Sequence, residues 1–127
     1  MAILRRVLLL QRDVPRAAVF YSDGLGMKLL SCTREWAELE GAGGGAGTRV
    51  ALKAVEGEAA ATTGYSPFLT FDVPDLDATL PRLLAMGAVM DGGVKFGQAG
   101  RSAVLRAPDG HMIGLVEGAE GPRPGGQ

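Results

Sequence analysis

The sequence has few of the residues that mark several common classes of protein. Aromatic residues make up 6% of its 127 residues, which argues against a surface that stacks nucleic-acid bases. The formal net charge is −1, so no strong overall field indicates a nucleic-acid or membrane partner. A single cysteine, Cys32, excludes an intramolecular disulfide and fits a reducing compartment, so we expect a cytoplasmic protein.

Long apolar runs are also missing. The apolar run at residues 7–10 ends at Gln11-Arg12-Asp13 and is too short for the hydrophobic region of a signal peptide. No stretch approaches the roughly 20 apolar residues that a membrane-spanning helix needs. The segment 119–127 is rich in Gly and Pro, which predicts a disordered tail. The remaining composition is typical of a globular protein.

What the sequence does contain is an approximate internal repeat. Val14-Pro15 opens a stretch that ends at Val55-Glu56-Gly57, and Val73-Pro74 opens a second stretch that ends at Val116-Glu117-Gly118. The two starts are 59 residues apart and the two ends are 61 residues apart. A period of this length predicts two supersecondary units side by side, not a solenoid.

Hydrophobic periodicity predicts the same order of elements in each half, which is a strand, a helix and three strands. In the first half the predicted strands are 3–10, 27–32, 35–40 and 48–55, with a helix over 16–23 capped by Asp13. In the second half they are 67–73, 88–94, 101–107 and 111–117, with a helix capped by Asp75 that runs to Met86. Pro81 predicts a kink in this helix or a later start.

We therefore predict an α+β fold of two tandem βαβββ modules that form a concave, half-barrel site between them. The modules, at about 3–57 and 66–118, would make a single domain over residues 1–118. The glycine-rich run 41–47 lies between two predicted strands and is followed by no helix. It is therefore expected to be a hairpin loop, not a phosphate-binding loop.

Several segments resemble the vicinal oxygen chelate superfamily, which includes glyoxalase I, bleomycin-resistance proteins and extradiol dioxygenases. The resemblance is carried by residues 13–21 and 25–30, the latter with Leu25-Gly26-Met27, by residues 68–78, and by residues 107–115 with Pro108-Asp109-Gly110. It covers about residues 3–118 and implies the paired βαβββ fold. It implies no particular activity, because function depends on the site and not on the scaffold.

In metal-using members of that superfamily, the resemblance implies ligands on the first and last strand of each half. These positions carry Arg6, Ala51, Phe68 and Gly114 here, with Leu52 replacing Ala51 if the fourth strand is shifted by one residue. A guanidinium, a methyl group, a phenyl ring and a hydrogen atom are not ligands for a divalent ion. We therefore expect no metal, no other cofactor and no family catalytic residue.

Strand alternation predicts which residues line the concave face. The face would be largely apolar with up to three cations, which indicates a small amphipathic ligand that is anionic if the cations are available to it. The predicted ligand-binding residues are Arg6, Leu8, Trp36, Arg49, Ala51, Lys53, Phe68, Thr70, Met112 and Gly114. Alternatively, Arg6 pairs with Glu38 or Glu40, while Arg49 and Lys53 are solvated or lie in a subunit contact.

Three functions stay open at this point. The first is a metal-free small-molecule-binding protein of the bleomycin-resistance type. The second is a glyoxalase-like lyase, isomerase or dioxygenase with displaced metal ligands, or a metal-free acid–base enzyme that uses Arg6, Glu38 or Glu40. The third is a structural module whose concave site is filled by Phe68 and Met112.

The remaining reactive side chains are expected to be structural. His111, the single histidine, is predicted on the helix side of its strand or in an exposed turn, and Cys32 is predicted as a small strand residue. We expect a homodimer that covers open sheet edges, with no nucleic-acid or membrane partner.

Overall fold

Alternating apolar residues build one sheet in each half of the chain. The computed structural model describes residues 1–2, 4–41, 48–57, 64, 66–97 and 100–118. The chain divides into two compact units, Met1–Thr62 and Thr63–Gln127, each with one sheet. This confirms the α+β class with two βαβββ-like sheets. The predicted tail and residues 42–47 lie outside the described residues, and the single domain stays a prediction.

The first unit contains a four-stranded mixed sheet of order β1-β4-β3-β2. β1 (Arg6–Gln11) is parallel to β4 (Arg49–Ala54), and β3 (Trp36–Glu40) lies antiparallel between β4 and β2 (Lys28–Cys32). One face of this sheet packs under the helix of the unit. The buried side chains on this face of the sheet are Leu9, Ala37, Leu39, Val50 and Leu52.

The helix of the first unit, α1 (Val14–Val19), begins at Asp13 as predicted, and the Asp13 carboxylate accepts a hydrogen bond from the Arg16 backbone N–H at 3.1 Å. α1 starts two residues before the predicted helix. It then continues into a π-helical turn, Phe20–Gly24, which the sequence analysis did not predict. Within this turn, the Ser22 hydroxyl donates to the Ala18 carbonyl at 2.7 Å, a bond that competes with the regular helical pattern.

The second unit contains a sheet of order β5-β9-β8-β6. β5 (Phe68–Asp72) is parallel to β9 (Met112–Gly118), and β8 (Gly100–Arg106) is antiparallel to β9. The predicted continuous strand 88–94 is wrong. β6 (Val89–Met90) and β7 (Lys95–Gly97) replace it, and both pair with β8. Gly92, with φ of +91°, turns the chain between them in a conformation that other residues rarely adopt.

The helix of the second unit, α2 (Leu76–Ala85), confirms the predicted cap, because Asp75 accepts a hydrogen bond from the Ala78 backbone N–H at 3.2 Å. Pro81 lies inside the helix, so the expectation that it delays the helix start is wrong. One face of α2 is buried against its unit. Thr79 is buried, whereas Leu84 is 41% exposed.

A charged network fixes the start of α2 to the sheet. Glu117 Oε2 accepts a hydrogen bond of 2.7 Å from the Leu76 backbone N–H, and Glu117 Oε1 pairs with Arg101 Nε at 2.8 Å. Arg101 also donates to both carboxylate oxygens of Asp77, at 3.2 and 3.3 Å. The network therefore joins β8, β9 and the first turn of α2. Neither helix in the described part of the chain has the length and apolar character needed to cross a membrane.

Candidate ligand-binding faces

Strand register places three rows of side chains on the face of the first sheet that points away from the buried apolar layer. We call it the open face of the first unit. The rows are Arg6–Arg49–Glu40–Lys28, Leu8–Ala51–Glu38–Ser31 and Leu10–Lys53–Trp36. Ala51 lies on this face and Leu52 belongs to the buried layer, so the unshifted alignment of the fourth strand is the one observed.

Glu38 is the centre of a polar cluster on this face. Its Oε2 accepts a hydrogen bond of 3.1 Å from the indole Nε1 of Trp36, and its Oε1 accepts one of 3.3 Å from Arg49 Nη1. Arg6 Nε lies 3.9 Å from Glu38 Oε2, which makes a longer ion pair. Residues 36 and 38 are two positions apart in a strand, so their side chains point to the same face of the sheet. This spacing brings the indole and the carboxylate together.

These contacts keep Glu38 ionised. The hydrogen bond from Trp36 is the largest cause that holds the pKa of Glu38 below its ordinary value of 4.5, and the charges of Arg6 and Arg49 act in the same direction. Partial desolvation opposes them without reversing the shift. A carboxylate of lowered pKa is a weak general base at neutral pH, so this environment suits an acceptor better than an acid–base catalyst.

The open face also carries a second carboxylate, Glu40, and two lysines, namely Lys53 on β4 and Lys28, which lies opposite Glu40 on β2. Arg49 Nε lies 3.8 Å from Glu40 Oε2, so Arg49 joins both carboxylates. Lys53 is exposed, and within the described ranges the structure gives it no ion pair or hydrogen bond through its side chain. Arg6 therefore pairs with Glu38, as the alternative expects, and Lys53 is exposed to solvent. Arg49 differs from that alternative, because it pairs with both carboxylates.

In the second unit, the corresponding open face is built from β5 and β9. Phe68 lies opposite Met112, and Thr70 lies opposite Gly114. The Phe68 ring covers Gly114, because a Cβ atom built on Gly114 would lie 3.0 Å from Phe68 Cε1. Met112 is fully buried, whereas Phe68 is 43% exposed.

The structure thus brings the ten predicted ligand-binding residues together in two groups, one on each open face. Six belong to the first unit and four to the second, and their role in binding stays a prediction. Three of them are buried, namely Ala51, Met112 and Gly114. Sequence reasoning gave Glu38 as an optional partner of Arg6 and as an optional acid–base residue, but not as the centre of a cluster. Glu38 and Trp36 lie on the same face of β3. This shared face was the sequence signal that could have identified Glu38 as the centre of the cluster.

The four positions at which the resemblance implies metal ligands carry no donor set for a divalent ion in this chain. Arg6 brings a positive charge, Ala51 and Gly114 bring no donor atom, and Phe68 brings an aromatic ring. The described residues also contain no group of three or more His, Cys, Asp or Glu side chains arranged to hold a metal ion. Since divalent ions need several carboxylate, imidazole or thiolate ligands, we derive no chemical step through a metal here.

The remaining reactive side chains lie away from both open faces or at an edge. His111 is buried, not in an exposed turn, and its backbone N–H donates to Asp109 Oδ1 at 2.9 Å. Its Nδ1 lies 3.1 Å from Asp109 Oδ2, but the two atoms are not aligned for a hydrogen bond. Cys32 lies on the strand β2, as predicted, but is exposed.

Comparison with known proteins agrees with this architecture. The sequence model of the Glyoxalase/Bleomycin resistance protein/Dioxygenase superfamily matches residues 3–115. The chain belongs to this superfamily. No curated protein sequence matches it significantly.

Solved structures with the same fold are similar to this chain at low sequence identity. A family enzyme from Burkholderia phytofirmans has a TM-score of 0.72 at 20% identity, over 90% of this chain and 97% of that one. The bleomycin-binding protein of Streptomyces verticillus, solved with copper(II)-bleomycin, has a TM-score of 0.60 at 23% identity, over 93% and 98%. The fosfomycin resistance protein FosX of Listeria monocytogenes, solved with Mn(II) and sulfate, has a TM-score of 0.73 at 17% identity, over 94% of both chains.

Proposed function

We propose that this protein binds a small amphipathic organic ligand on the open faces of its sheets, without a divalent ion held by protein side chains. One observation carries the proposal, namely the residues at the four family metal positions. Arg6, Ala51, Phe68 and Gly114 cannot supply a ligand set, whereas the open faces keep both apolar and charged groups.

The composition of the open faces supports an amphipathic ligand. Leu8 and Phe68 are 44% and 43% exposed, so each offers apolar surface to a bound molecule. The first unit adds the half-buried indole of Trp36 and the charged cluster around Glu38. Binding sites of this kind combine apolar contacts with a few fixed polar groups that orient the ligand. The structurally similar bleomycin-binding protein of Streptomyces verticillus, solved with copper(II)-bleomycin, is a precedent for binding of an organic ligand on this fold.

An enzymatic role has less support from the same residues. A metal-free acid–base mechanism would draw on Glu38, whose pKa is lowered first by Trp36 and then by Arg6 and Arg49. A general base is most effective when its pKa lies near the working pH. We therefore favour binding over catalysis for this face.

We further propose a homodimer in the cytoplasm. All five residues of the edge strand β2 (Lys28–Cys32) are exposed, including Leu29 and Leu30. An open edge with apolar side chains is a surface that a second copy can protect by a two-fold contact. Sedimentation equilibrium would measure the mass, and a monomer at all concentrations would contradict this part of the proposal.

A thermal-shift screen tests the binding function. The panel should contain matched anionic and neutral aromatic compounds together with metal-free bleomycin. Each compound is measured with EDTA, without EDTA and with added Mn²⁺ or Zn²⁺, and calorimetry follows for the positive compounds. We expect at least one class of compound to raise the melting temperature of the protein equally with and without EDTA, because a ligand that binds the folded state stabilises it. No shift with any compound, or a shift that requires added Mn²⁺ or Zn²⁺, would contradict the proposal.

A further inference from the structure

We infer that Lys53, beside Trp36, receives the anionic group of the ligand, and that the ligand is a planar aromatic carboxylate or sulfonate. The inference rests on the proposed binding function and assigns its specificity. It gives Lys53, not Arg6 or Arg49, the role of anion partner on the open face of the first unit.

The two arginines on this face are already neutralised. Glu38 accepts a hydrogen bond from Arg49 and lies 3.9 Å from Arg6 Nε, and Glu40 lies 3.8 Å from Arg49 Nε. An incoming anion would have to displace one of these carboxylates to reach either guanidinium. Two positive and two negative groups thus compensate each other within the cluster, and its net attraction for an anion is small. A further lysine of this face, Lys28, lies opposite the carboxylate-bearing Glu40 and in the row farthest from Trp36.

Lys53 lies in a different electrostatic position. It occupies the third row of the open face, two residues along β4 from Ala51 and about 7 Å from the row that contains Glu38. Its side chain is exposed, and the described part of the chain gives it no carboxylate partner. An ammonium group with three donors and no partner is ready to bind an anion.

The neighbours of Lys53 define the rest of the ligand. Lys53 lies opposite Trp36 on β3 and opposite Leu10 on β1, and cross-strand neighbours of this kind have Cβ atoms about 5 Å apart. The indole is held by its hydrogen bond to Glu38, so its ring is oriented before a ligand arrives. A fixed aromatic surface beside a cation suits a flat ring that carries one negative group.

Binding of 2-naphthoate, with naphthalene-2-carboxamide as its neutral isostere, tests the assignment. Trp36 is the sole tryptophan of the chain, so quenching of its fluorescence, corrected for absorption by the naphthalene ring, reports a ligand bound close to this row. The variants are Lys53→Gln and, as a control with the same change of charge on the same open face, Lys28→Gln, which lies opposite Glu40 in the row farthest from Trp36. Calorimetry at low ionic strength gives the dissociation constants, since salt screens exposed charges.

We expect Lys53→Gln to weaken naphthoate binding by about tenfold, the effect of losing one charge-assisted hydrogen bond, while carboxamide binding does not change. Lys28→Gln should leave both constants unchanged. If naphthoate quenches Trp36 fluorescence and Lys53→Gln has no effect, or the same effect as Lys28→Gln, the assignment to Lys53 is wrong and the binding function stands. If neither probe nor any panel compound binds, both proposals fail.

Discussion

The aromatic ring of Phe68 occupies the space that a side chain at position 114 would need. A Cβ atom on Gly114 would lie 3.0 Å from Phe68 Cε1 and 3.4 Å from Thr70 Oγ1. Phe68 and Gly114 both occupy positions where metal-using relatives are expected to have ligands. A coordinating side chain at 114 would therefore require the Phe68 ring to move as well, and a single substitution would not rebuild such a site.

This contact predicts a coupling between the two positions. Gly114→Ala should lower the free energy of unfolding by about 1 kcal/mol, because the new methyl group forces the ring aside. In a Phe68→Ala background the same substitution should cost little. Urea denaturation of the four proteins of the double-mutant cycle measures the coupling. An equal loss in both backgrounds would show that the ring is not the obstacle.

Two leucines on the neighbouring strands β1 and β4 point to opposite faces of the sheet, so their substitution by alanine should affect stability differently. Leu52→Ala removes a fully buried side chain and should cost about 2–5 kcal/mol of unfolding free energy. Leu8→Ala, on the open face and 44% exposed, should cost less than about 1 kcal/mol. Chemical denaturation of both variants provides the comparison. Similar losses would mean that the assignment of the buried face is incorrect.

The network at the start of α2 predicts an acid-dependent loss of stability. Arg101, and then the backbone N–H of Leu76, hold the pKa of Glu117 below its ordinary value of 4.5. A carboxylate whose pKa is lowered on folding stabilises the fold above its unfolded pKa, and this contribution is lost as the pH falls through the folded pKa. Glu117→Gln should therefore reduce the urea midpoint at neutral pH, with a difference from wild type that disappears in acid.

Asp77→Asn provides the control for this network. Asp77 contacts the same arginine, but its side chain is 78% exposed, so its ion pair is weakened by solvent. Its substitution should reduce the urea midpoint less than Glu117→Gln does. A larger effect from Asp77→Asn, or a Glu117→Gln difference that persists at low pH, would contradict the role given to Glu117.

The contact between Trp36 and Glu38 predicts a titration visible by fluorescence. The pKa of Glu38 is lowered first by the indole hydrogen bond, so protonation below pH 4.5 should weaken that bond and change the Trp36 emission. Glu38→Gln should abolish this step, whereas Glu40→Gln should preserve it, because Glu40 contacts Arg49 and not the indole. A wild-type step that survives in Glu38→Gln would assign the titration to another group.

The sequence predicted the sheets well because each has one strongly apolar layer. Alternation along β4 was enough to place Arg49, Ala51 and Lys53 on one face, and Asp13 and Asp75 were recognisable as helix caps. Backbone pairing follows from this pattern because a shift of one residue would expose the apolar layer.

The predictions that failed depend on physical features that the local alternation of apolar and polar residues does not encode. The interruption at Gly92 depends on a positive φ, and the π-helical turn depends on bonding within one segment. The pairing of Glu38 with both Trp36 and Arg49 depends on how far side chains reach across strands. Alternation gives the face of a residue but not its partner, and for that reason Lys53 emerged as the available cation only from the structure.

Metal analysis of the full chain, purified without chelators and then dialysed against Mn²⁺, Ni²⁺ or Zn²⁺, tests the central claim most directly. Because Arg6, Ala51, Phe68 and Gly114 offer no ligand set, we predict well below one tightly bound ion per chain and ligand binding that is unchanged by EDTA. A stoichiometric ion, retained on gel filtration and required for ligand binding, would contradict the account.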